Sequence, residues 1–66
     1  MKVTAPTPKE ILDHMVVNKD TAYDMQLSYT LPNGYIVSVV KSSEIATRKQ
    51  LEDALVEQVT EAYDNL

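Results

Sequence analysis

Apolar residues recur along this chain with two different periods, and the changes between them divide it into elements. From Thr7 to Val16 the spacing is helical: Ile11, Leu12, Met15 and Val16 share one arc, opposite Glu10 and Asp13. Thr7-Pro8-Lys9-Glu10 supplies the start, with Thr7 as cap, Pro8 in the first helical position and Glu10 completing a Thr-x-x-Glu capping box. Asn18 is the expected stop. A helix of about ten residues does not persist without packing. Residues 1–6 carry no periodicity, and with Pro6 among them they read as a flexible arm or edge segment.

From Tyr23 the period falls to two. Tyr23, Met25, Leu27, Tyr29 and Leu31 alternate with Asp24, Gln26, Ser28 and Thr30, the pattern of a half-buried strand. Pro32-Asn33-Gly34 is turn chemistry, and a second strand follows from Tyr35 to Lys41. The register of this hairpin can be argued. A two-residue Asn33-Gly34 turn would set Ser38 among the apolar residues. A three-residue loop ending in a bulge at Gly34 instead pairs Leu31 with Tyr35, Tyr29 with Val37 and Leu27 with Val39, giving one wholly apolar face. Ile36 and Val40 then lie on the opposite face, where a second subunit or the N-terminal arm is expected to cover them.

Ser42-Ser43-Glu44 begins a linker, and Thr47-x-x-Gln50 is a second capping box. From Gln50 to Tyr63 the helical period returns. Leu51, Ala54, Leu55, Val59, Ala62 and Leu66 form a stripe, with Val56 and Tyr63 on its flank. The expected fold is α+β in the order α-β-β-α: a short helix, an antiparallel hairpin and a longer acidic helix. A lone two-stranded ribbon is marginal in water, and pairing two hairpins edge to edge across a homodimer would support it.

Size sharpens that expectation. Sixty-six residues make one small domain, 1–66, with a thin core. The chain has no cysteine and a single histidine, His14, so disulfides, thiolate sites and a His-rich metal site are excluded as stabilisers. A partner subunit is the remaining one. The net charge of −4 is opposite to that of a direct nucleic-acid binder, and Arg48-Lys49 is the only adjacent basic pair. The sequence has neither a signal-peptide pattern nor an apolar run of membrane-spanning length, so a soluble intracellular protein is expected.

Candidate chemistry is sparse. The main feature is Asp53-x-x-x-Glu57-x-x-x-Glu61-x-x-Asp64, whose spacing puts four carboxylates on one narrow helical face. No Lys or Arg follows Lys49, and the row runs toward the negative end of the helix dipole, where each charge costs roughly 0.3–1 kcal/mol when exposed. Such a row is either a solvated face or a surface that docks on a basic partner, with association that is fast and salt-sensitive. One helical row cannot surround a divalent cation, so no metal is assigned. His14 reads as a partly buried spectator at the margin of the first helix, and no Ser-His-Asp or Cys-His arrangement is available; an enzyme is not expected. Tyr29 and Tyr35 read first as core and alternatively as an interface or a base-stacking pair. Arg48 and Lys49, at the start of the second helix, are ordinary surface charge or an anion site. Gly34 is the only glycine, so there is no phosphate-cradling loop and no cofactor is assigned.

Two segments resemble a known group. Thr7-Pro8-Lys9-Glu10-Ile11-Leu12-Asp13-His14-Met15-Val16 looks like the opening of the gene-49/gene-66 family of small tailed-phage accessory proteins. Leu31-Pro32-Asn33-Gly34-Tyr35-Ile36-Val37 is similar to that family's strand-turn-strand. The resemblance implies a phage-encoded protein acting in the host cytoplasm, and it transfers no functional residue. The expectation is therefore an inhibitor or modulator of a host protein, in defence or transcription, engaged through Asp53, Glu57, Glu61 and Asp64. Two alternatives stand beside it. One is an oligomeric sponge holding an anionic nucleotide with Tyr29, Tyr35, Arg48 and Lys49; the other is a structural phage component.

Overall fold

The computed structural model describes residues 4–21 and 24–66. Along them run α1 (Pro8–His14), β1 (Val16–Asp20), β2 (Met25–Thr30), β3 (Ile36–Val40) and α2 (Arg48–Asp64). The α+β class, the hairpin and the longer C-terminal helix are as the sequence predicts. Tyr23, expected to open the central strand, lies outside the described residues, as do residues 1–3 of the expected arm. Of the rest of that arm, Ala5 is half-buried and packs against the core.

Both helices begin where their capping boxes place them. The Glu10 amide donates to Thr7 Oγ1 at 3.3 Å, and Glu10 Oε1 accepts from the Thr7 amide at 3.5 Å. At α2 the Gln50 amide donates to Thr47 Oγ1 at 3.1 Å, while Gln50 Oε1 accepts from the amides of Thr47 and Ala46 at 3.1 and 2.9 Å. Each box satisfies amides that the first turn of a helix leaves without an internal partner.

α1 is shorter than its apolar spacing predicts. It ends at His14, and Met15 is already extended, with φ −67° and ψ 155°. Val16, placed by periodicity at the end of a helix, and Val17 after it instead open a strand that pairs antiparallel with β2 (Val16 with Ser28, Val17 with Leu27). Two adjacent β-branched residues lose rotamer freedom in a helix and pack well on a pleated surface. Pairing also completes a three-stranded sheet, which with one apolar face is more stable than a lone hairpin. The support the hairpin needs thus comes from within the chain, on the β2 side.

The hairpin has the predicted register. Tyr29 pairs with Val37 and Leu27 with Val39. The Gly34 amide donates to the Leu31 carbonyl at 2.9 Å, the Leu31 amide to the Tyr35 carbonyl at 2.7 Å, and Gly34 has φ +89°. That is a three-residue loop closed by a glycine bulge. The sheet order is β1-β2-β3, so β1 and β3 are its edges.

α2 lies across one face of this sheet, with α1 beside it. Leu27, Leu31, Val37 and Val39 meet Leu51, Leu55, Val59 and Tyr63, and Ile11 closes the core from α1. Burying each large apolar side chain contributes about 1.5–3 kcal/mol. Four side chains depart from expectation. Tyr63, placed on the flank, is buried, whereas Leu66, placed in the stripe, is exposed because the helix stops at Asp64. Tyr35 is 66% exposed rather than core: it precedes β3 and stands across from Asn65, where α2 has already ended. His14, expected to be partly buried, is exposed in the last turn of α1.

Candidate functional site

The carboxylate row is displaced by half a turn from the buried row of α2. Leu51, Leu55 and Val59 are fully buried, and Asp53 and Glu57 follow Leu51 and Leu55 by two residues, which points them away from the sheet. Asp53, Glu57, Glu61 and Asp64 are all exposed. Among the described residues the ion pairs join Lys19 to Asp24 at 3.0 Å and Arg48 to Glu52 at 3.6 Å; neither involves a member of the row. The first turn of α2 holds no acid and its last turn holds no base, the reverse of what the dipole favours. The helix end is closed by backbone and amide instead: the Asn65 amide donates to Ala62 O at 3.1 Å, and Asn65 Nδ2 to Glu61 O at 3.1 Å.

Glu61 has a second setting. With Gln58, Ala62 and Asn65 it forms one wall of an open groove of about 620 Å³, whose other wall is the chain from Tyr35 to Ser38. The sequence reading missed this groove, because it depends on the tilt of α2 over β3. The visible signal was the polar pair Gln58 and Asn65 beside the apolar stripe.

The other candidate residues are not brought together within one chain. Tyr29, half-buried on the sheet face under α2, lies close enough to Tyr63 for the two hydroxyls to interact. Burial first, and then this neighbour, push the Tyr63 hydroxyl above the ordinary tyrosine pKa. Tyr35 stands across the groove from Asn65, near the end of α2, whereas Arg48 and Lys49 open the same helix, roughly 25 Å away at 1.5 Å per residue. A site made of tyrosine and these two cations would have to draw them from different subunits.

Among the described residues, no group of three or more His, Cys, Asp or Glu side chains converges as a metal site. No helix among them is long and apolar enough to cross a membrane. Comparison of the chain with family models, curated proteins and solved structures yields no match.

Proposed function

We propose that this protein acts by binding, and that the row Asp53, Glu57, Glu61 and Asp64 docks on a basic surface of a host protein. The observation that carries the reading is the excess of negative charge: four exposed carboxylates on the face of α2 opposite the core, outside every ion pair described, with Lys49, one turn before Asp53, the single cation at helical spacing from the row. Solubility alone is served by interspersed charges of both signs. A single-sign row near the negative end of a helix costs stability and gains a steering field for a cationic partner. The resemblance to small tailed-phage accessory proteins supports a host regulator or defence component as the target.

The test is affinity capture from bacterial lysate with tagged wild type and with a Glu57→Lys/Glu61→Lys variant. A basic host protein released from the wild type by moderate salt, and lost from the variant, is the expected result. Capture that survives both substitutions would remove the row from the function.

A further inference from the structure

The two edges of the sheet are built differently. β1 carries devices that keep an edge from pairing with another chain: the exposed Lys19, and a break in register between Val17 and Lys19. β3 carries none of them. Its sequence is Ile36-Val37-Ser38-Val39-Val40, uncharged and β-branched at all positions but one. Ile36 and Val40 are 60% and 58% exposed on the sheet face away from α2.

The backbone of β3 can be assigned direction by direction. Bonds to β2 run from the Leu31 amide to Tyr35 O and from the Lys41 amide to Met25 O. In an antiparallel ladder, bonded and non-bonded positions alternate, so Val37 and Val39 face β2. Ile36, Ser38 and Val40 therefore aim their amides and carbonyls outward, along the free edge. These are the residues whose side chains stand on the exposed sheet face.

We infer that β3 pairs antiparallel with β3 of a second copy about a two-fold axis at Ser38, joining two three-stranded sheets into one. This register sets Ile36 opposite the partner's Val40, Ser38 opposite its own symmetry mate, and Val40 opposite the partner's Ile36, each pair exchanging two backbone bonds. The exposed apolar residues become cross-strand neighbours, and the pairing is its own complement, as a two-fold interface requires.

Charge permits a second copy at this edge. Each copy carries a net charge of −4, and Tyr35–Val40 is itself uncharged; Glu61 borders the strand from the α2 side, whereas Ile36 and Val40 meet their mates on the opposite face of the sheet. The area sets the strength. A five-residue strand is about 17 Å long. With a molecular width of 18 Å, the contact covers on the order of 300 Å² per copy, against roughly 800 Å² for a standard interface. The dimer is accordingly concentration-dependent, and added salt tightens it by screening the like net charges. Salt would loosen docking through the acidic row, so the two associations are distinguishable in one titration.

The test is sedimentation of the wild type from micromolar to about 1 mM, beside two exposed-site variants whose folding is checked by circular dichroism. Ile36→Lys/Val40→Lys faces lysine with lysine across the axis and should raise the dimer dissociation constant at least about a hundredfold. Ile36→Lys/Val40→Glu faces lysine with glutamate in this register alone and should restore the dimer. Amide exchange on the wild type gives an independent reading: Ile36, Ser38 and Val40 should gain protection with concentration, while Val37 and Val39 are protected throughout. A wild type that stays monomeric, a lysine variant that dimerises normally, or outward amides indifferent to concentration would each overturn the inference.

Discussion

Tyr29 on the central strand stands against Tyr63 in the last turn of α2, so the end of the helix and the middle of the sheet meet at two phenols. Because burial, and after it the neighbouring Tyr29, raise the Tyr63 pKa, the folded state holds its proton more tightly than the unfolded chain does. Stability from this group is full below the unfolded value of about 10 and is lost as pH rises through that value toward the folded one. Urea unfolding followed across this range should show the alkaline loss. Tyr63→Phe, which has no hydroxyl to ionise, should lessen it.

Leu55 sits at the centre of the buried row of α2 and is fully buried. Leu55→Ala should destabilise the fold by about 2–5 kcal/mol. A chain of this length holds on the order of 3–10 kcal/mol in all. The variant should therefore unfold far earlier in urea, and at 37 °C a measurable fraction should already be unfolded by circular dichroism.

Gly34 separates two effects that usually arrive together. A Cβ at this position would meet nothing within 4 Å, yet the backbone is at φ +89°. Gly34→Ala should therefore cost about 1–2 kcal/mol from conformation alone. Gly34→Asn should cost less, because asparagine tolerates a positive φ. Thermal melts of the two variants give the comparison.

Local chemistry made much of this fold legible. The Thr7 and Thr47 boxes start both helices where they stand, and the need for one apolar face chose the hairpin register over the two-residue turn. β1 was not legible, because Ile11, Leu12, Met15 and Val16 satisfy helical spacing as well as any true helix would. What decides there is the free edge of β2, a tertiary partner that no local window contains. Tyr35 was misplaced because the period-two pattern does not show how far α2 extends over the sheet. The exposure of Asp53, Glu57, Glu61 and Asp64 followed from their offset to Leu51 and Leu55. The groove beside Glu61 did not, since it arises from how α2 lies over β3.

The order of elements has a consequence in time. Sheet neighbours are also chain neighbours, so β1, β2 and β3 can pair as soon as each is made. Their apolar face, with Leu27, Val37 and Val39, is covered chiefly by α2, which follows β3 in the chain. A nascent chain that has reached β3 therefore holds a sticky half-sandwich with an unguarded edge, and it becomes safe from misassociation only when Leu51 to Tyr63 arrive.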